Sequence, residues 1–140
     1  WASRRAMRPR RSSGRIVTHV KVADASALAA ILFNEEKLAD VEAALLDATL
    51  IAPAILLFEL GNVCRTKCRQ TPAERAAFEN GLALFPQLGV VEMPIDPAAV
   101  LALAMNEQLS FYDASYLWLA RSRGAELVTL DRKLLKAAAR

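Results

Sequence analysis

Hydrophobic positions along the chain switch repeatedly between a strand period and a helix period. IVTHVKVAD, residues 16 to 24, is β-branched and predicts a strand ending near Asp24. ASALAAILFN, next, is apolar on nearly every face and predicts a buried helix. In EKLADVEAALLDA, Leu38, Val41 and Leu45 recur at helical spacing, and TLIAP then predicts a short strand stopped by Pro53. A long helix follows from Ile55. TPAE at 71 to 74 has the form of a capping box with Pro72 at the first helical position, so a further helix is expected through Phe78, Leu82 and Phe85. VVEMPI predicts a third strand. Asp96 and Pro97 repeat the cap-then-proline signal for a helix with Val100, Leu101, Ala104 and Met105 on one face. FYDASYLWLARSRG predicts a helix capped near Asp113 and stopped at Gly124, ELVTLD a fourth strand, and RKLLKAAAR a last helix. Strands alternating with helices imply a mostly parallel sheet covered on both faces, a three-layer α/β fold.

Composition narrows the class without changing that picture. A chain of 140 residues suits one domain and, at that size, buries roughly two-thirds of its unfolded surface. Its 54% hydrophobic and 24% charged content excludes disorder for the body, and no apolar run reaches the ~18 residues that span a bilayer. Cys64 and Cys68 lie one helical turn apart, with His19 the only histidine, which excludes a disulfide framework and a zinc site and reads as two reduced helix cysteines in a cytoplasmic protein. The net charge of +3 is carried by the start of the chain: residues 1 to 21 hold seven basic side chains and no acid, whereas residues 22 to 140 hold eleven basic against fifteen acidic. Residues 1 to 18 are therefore expected to form a basic, disordered leader with weak nonspecific attraction to nucleic acid as its functional alternative, and residues 19 to 140 the folded domain. The leader has no apolar h-region, and its Arg/Ser richness is similar to that of a short transit peptide.

In open parallel sheets ligands bind beyond the carboxyl ends of the strands, and there the sequence is acidic. Asp24 follows VKVA, Asp131 follows ELVTL, and Asp113 precedes ASYLWLARSR. Each alone has a plain reading as an N-cap, worth ~1 kcal/mol, which Asn, Ser or Thr fill about as well. Glu59 resists that reading. In ILLFELGNV it has Ile55, Leu56 and Val63 at helical spacing, so it sits on the apolar stripe, and Arg65, Lys67 and Arg69 are not three or four positions from it. An unpaired buried carboxylate costs several kcal/mol, so a basic side chain, a proton or a metal ion must compensate. A hard divalent cation would satisfy all four carboxylates together, and oxygen-only ligation points to Mg²⁺ or Mn²⁺. Such ions work with phosphates. The P-loop, dinucleotide-binding and nucleophile-elbow patterns are all missing from the sequence.

VADASALAAILFNEE, LLFELGNV, YDASYLWLA and LVTLDRKLLKAA, in this order and spacing, closely resemble the PIN-domain ribonucleases, specifically the VapC-type toxins of VapBC toxin–antitoxin systems. The likeness covers residues 20 to 138. It implies a three-layer α/β/α PIN-like fold and a metal-binding acidic pocket made of Asp24, Glu59, Asp113 and Asp131, with Ser26 orienting the first aspartate or a water. The resemblance further implies metal-dependent endoribonuclease chemistry, a cognate VapB-type antitoxin covering the pocket, and a homodimer formed through the apolar helices of the first half and residues 72 to 86. Family members usually continue into a final edge strand, for which no residues follow Arg140, and the Arg-rich leader is foreign to the pattern, placing the natural start at Met7 or near Val17.

An acidic body does not attract RNA by net charge, so affinity must come from the metal and local patches. Arg65, Lys67 and Arg69 form one patch and Arg132 with Lys133 another, each with a solvated helix face as the plainer reading. Two other functions fit parts of the pattern. A catalytically silent PIN-like module would bind RNA or a protein through the same surface. A phospho-receiver domain would want paired acids after the first strand, where DAS supplies one.

Overall fold

A computed structural model describes residues 19–140; the basic leader, and the first residues of the expected first strand, lie outside the described residues. Its elements follow in the order β1 (His19–Ala23), α1 (Ala25–Leu32), α2 (Leu38–Leu45), β2 (Ala48–Ala52), α3 (Ile55–Gln70), α4 (Arg75–Ala83), β3 (Val91–Glu92), α5 (Pro97–Glu107), α6 (Phe111–Arg123), β4 (Glu126–Val128) and α7 (Arg132–Ala138). The four strands form one parallel sheet in the order β3-β2-β1-β4. Pairing of Val22 with both Ile51 and Leu127 sets the register at the centre. Both β1 and β2 are buried at their carboxyl halves, where their residues are apolar (Val22 and Ala23; Leu50, Ile51 and Ala52), while β1 opens with the polar His19 and Lys21 at its less buried end. Helices α1 to α4 pack on one another, as do α5 to α7, giving the three-layer α/β/α arrangement. The core joins Val22, Leu28, Leu56, Leu60, Tyr116 and Leu134, all essentially inaccessible to water.

The chain steps from β1 to β2 to β3 on one side and returns to place β4 on the other side of β1. That reversal opens a crevice beyond the carboxyl ends of β1 and β4, the usual ligand position in such sheets. Asp24 and Asp131 are delivered there by the strand ends.

Four local expectations are corrected. Thr71 makes no side-chain cap, and Pro72–Glu74 form a 3₁₀ turn closed by the Glu74 amide on the Thr71 carbonyl, so no capping box forms. Phe85 lies beyond α4, in a second 3₁₀ turn. Ser110, not Asp113, caps α6, its Oγ accepting from the Asp113 amide, and Asp113 lies within the first turn. On α5, Val100 and Ala104 are buried, but Leu101 and Met105 are 55% and 74% exposed. Helix α5 packs mainly on α6, and a single neighbouring cylinder covers a narrower stripe than a sheet would.

Close packing of α4 on the end of α1 depends on Gly81. A Cβ there would lie 2.2 Å from the Leu32 carbonyl oxygen, so only glycine permits the approach.

Candidate active site

Asp24 leaves β1 in an extended conformation and caps α1, with its Oδ1 accepting from the Ala27 amide at 3.0 Å and from the Ser26 hydroxyl at 2.7 Å. Oδ2 accepts from Thr129 Oγ1 at 2.5 Å. The residue is 5% exposed, so these three donors are what makes the buried carboxylate tolerable. Burial still dominates and raises its pKa, with the charge of Asp113 adding to the rise and the hydrogen bonds from Thr129, Ser26 and Ala27 opposing it.

Ser26 and Thr129 also tie the two strand ends together. Ser26 Oγ accepts from the Leu130 amide at 2.8 Å and lies 3.3 Å from Thr129 Oγ1, which accepts from the Asp131 amide at 3.0 Å. The loop after β4 is thereby held against the start of α1. Asp131 is exposed and caps α7 through a bond from the Leu134 amide to Oδ1 at 2.9 Å.

Glu59 lies half-buried on α3, and its Oε1 accepts from the Tyr116 hydroxyl of α6 at 2.6 Å. Partial burial and a phenol donor, a compensation absent from the three expected, answer the question its position raises. Burial raises the Glu59 pKa, Asp113 and Asp24 raise it further, and the Tyr116 bond opposes them. The Tyr116 phenol, itself buried, is driven far above its ordinary value by burial and by Glu59. Asp113, half-buried on α6, is likewise raised by burial and then by Asp131, while Ser110 and Lys133 pull it down. Asp113 thus acts on Asp24, Asp113 and Asp24 act on Glu59, and Asp131 acts on Asp113.

No lysine or arginine pairs with any of these four carboxylates among the described residues. Nor, among the described residues, do three or more carboxylates stand close enough to enclose an ion as placed. The arrangement is an open acidic surface, eased by hydrogen bonds and by Lys133 rather than by ion pairs, and not a closed cage.

The basic side chains are distributed differently. Lys67 is half-buried, ion-paired with Glu35 at 2.8 Å and set near the Phe33 and Phe78 rings, so its charge is already engaged. Arg65 and Arg69 are exposed and line a groove with Cys64 and Cys68. Arg132 and Lys133 are exposed in the first turn of α7, with Lys133 near enough to act on Asp113. Two residues that pattern reading passes over, Thr129 and Tyr116, hold the site. Their signals were a hydroxyl two positions before Asp131 and a polar tip three positions after Asp113 on a buried face.

The PIN domain family model matches residues 21–140. Exonuclease VapC9 of Pyrobaculum aerophilum is 37% identical over 83 residues, 58% of this chain and 61% of that protein, so the match spans less than two-thirds of the relative. The crystal structure of PAE2754 from Pyrobaculum aerophilum is similar at a TM-score of 0.68 and 30% identity, covering 89% of this chain and 87% of that one.

Proposed function

This chain belongs to the PIN-domain family, and on that premise we propose that it is a metal-dependent endoribonuclease of VapC type, the toxin of a type II toxin–antitoxin pair. The observation that carries the proposal is the charge at the crevice. Asp24, Glu59 and Asp113 come from three distant segments, Asp24 is buried and Glu59 half-buried with a neighbouring carboxylate of the set acting on each, Asp113 is acted on by Asp131, and among the described residues none of them is ion-paired with a lysine or arginine. An all-carboxylate donor set suits Mg²⁺ or Mn²⁺.

Asp24, Glu59 and Asp113 would hold the ion directly, and Asp131 through water or on a second ion. Bound there, a divalent cation supplies Lewis acidity and a water of lowered pKa. The chain's own residues do the positioning. Ser26 and Thr129 fix the Asp24 carboxylate, Tyr116 orients Glu59, and Ser110 sets the helix turn that presents Asp113. Asp24, held by three donors, would be the fixed ligand, and the half-buried Glu59 and exposed Asp131 would be the adjustable ones. Arg65, Arg69, Arg132 and Lys133, with Lys67 sharing its charge with Glu35, are the RNA-facing basic groups in this reading.

A cognate VapB-type antitoxin inhibits by covering the crevice, and two copies of the chain associate. Support for the dimer comes from a groove lined by Leu57, Phe85 and Val90 and from the exposure of Leu57 and Leu84. No helix among the described residues is long and apolar enough to cross a membrane.

The test is incubation of the purified protein with a circular single-stranded RNA and Mn²⁺ or Mg²⁺. An endonuclease linearises the circle, whereas an enzyme confined to RNA ends leaves it intact. Binding of RNA without any cleavage would instead favour a catalytically silent module. Addition of the antitoxin should stop the reaction, and unchanged cleavage in its presence would contradict the inhibitory picture.

A further inference from the structure

Beside the acidic crevice lies an apolar groove of about 440 Å³ between the start of α3, the segment after β3 and the start of α6. That size is in the range of sites for small organic groups. Its walls carry three aromatic rings that remain open to water: Phe58 is 72% exposed, Tyr112 55% and Phe111 40%. Two of these rings adjoin site carboxylates in the chain, Phe58 before Glu59 and Tyr112 before Asp113. Leaving such rings exposed forgoes their burial energy, so a ligand that stacks on them is the economical explanation.

We propose that this groove is a nucleobase subsite, in which Phe58 and Tyr112 stack a base flanking the scissile phosphate of single-stranded RNA. The inference rests on the phosphodiesterase reading above and adds to it a binding site for one base. Position supports it. The groove opens beyond the carboxyl ends of β2 and β3, and the crevice beyond those of β1 and β4, so they are roughly one or two strand spacings apart, about 5–10 Å. Charge supports it too. Among the described residues, Glu92 is the only charged side chain lining the groove, so a phosphate or an acidic peptide is repelled while the neutral face of a base is accepted. Aromatic walls bind any base by its π-face, which requires the base to be unstacked and therefore single-stranded. The Ser115 hydroxyl, bonded to the Tyr112 carbonyl at 2.6 Å, stiffens the turn that carries Tyr112.

The test measures RNA affinity in an Asp24→Asn background, so that the RNA stays intact in Mg²⁺. A short single-stranded oligoribonucleotide is compared with a set of the same sequence in which one nucleotide at a time is abasic. At one position, loss of the base should weaken binding by at least about fivefold. That penalty should vanish when Phe58→Ala and Tyr112→Ala are added, and return with Phe58→Trp in place of Phe58→Ala. Both side chains are exposed, and retained circular dichroism and melting temperature confirm folding. Equal affinities for intact and abasic RNAs, or a penalty that survives both alanine substitutions, overturn the subsite; so does RNA affinity indifferent to Phe58 while an apolar peptide from the antitoxin competes for the groove. Cleavage by the parent is scored separately. A base penalty without cleavage upholds the subsite and removes the nuclease reading, whereas cleavage without a base penalty does the reverse.

Discussion

The Tyr116 hydroxyl donates to Glu59 Oε1 at 2.6 Å, joining α6 to α3 across 57 residues of sequence. Tyr116 is 1% exposed, so its ring is a core element while its oxygen serves the site. A phenol is a measured partner for a carboxylate that must remain available. It lessens the cost of half-burial without neutralising the charge, as an arginine would.

Removing that oxygen gives the first expected outcome. Tyr116→Phe keeps the ring but takes away the bond that lowers the Glu59 pKa, so that pKa climbs further. If cleavage requires ionised Glu59, the acid limb of the pH–rate profile moves to higher pH, and stability falls by about 1 kcal/mol. A profile that does not move would show that Glu59 ionisation is not needed for turnover.

Thr129 is the second. Its hydroxyl donates to Asp24 and accepts from the Asp131 amide, so Thr129→Val strips a buried carboxylate of a donor and loosens the loop after β4. A loss of about 1–3 kcal/mol is expected by denaturant unfolding, with Thr129→Ser near the parent. Equal stability of the serine and valine variants would contradict the role given to the hydroxyl.

The raised pKa of Glu59 fixes a sign for pH dependence in the metal-free protein. An acid raised by folding favours the folded state fully below its unfolded value, and that contribution is lost as pH rises through the folded value. Glu59→Gln has no charge to lose and can still accept from Tyr116. At neutral pH it should therefore melt above the parent, and the gap should close as pH falls toward the ordinary glutamate range. A variant less stable than the parent at neutral pH would be the wrong sign. Gain in stability with loss of activity is the usual mark of a site held under electrostatic strain.

Gly81 supplies a prediction independent of function. Gly81→Ala places a methyl group within 2.2 Å of the Leu32 carbonyl oxygen, which belongs to helix backbone and cannot step aside. Destabilisation of about 1–3 kcal/mol is expected by thermal or denaturant unfolding. A neutral effect would mean that α4 rides more loosely on α1 than the packing indicates.

The alternation of strands and helices was legible because local periodicity encodes it, as at VKVAD followed by ASALAAIL. The candidate acids stand out in the sequence for a related reason: Asp24 and Asp131 follow strands, and Glu59 is an anomalous glutamate on an apolar stripe. What bonds to them does not. Thr129 meets Asp24 across 105 positions, and Tyr116 meets Glu59 across 57, and no local pattern records a contact made only after the sheet has assembled. The exposed half of α5 failed for the same cause. Leu101 and Met105 fit a helical stripe, but how wide a stripe is covered depends on what packs there. At Thr71 a locally plausible cap lost to a 3₁₀ turn, in which the backbone carbonyl does the work assigned to the side chain.

The claim on which everything turns is that the four carboxylates act together through a divalent cation to cut RNA. Its most direct measurement is the rate of RNA cleavage by the parent, Asp24→Asn, Glu59→Gln and Asp113→Asn, each with Mn²⁺ or Mg²⁺ and again with chelator. The expected result is cleavage by the parent only when metal is present, reduced by about 100-fold or more in each variant. Cleavage that persists in chelator, or that survives these substitutions, would contradict it.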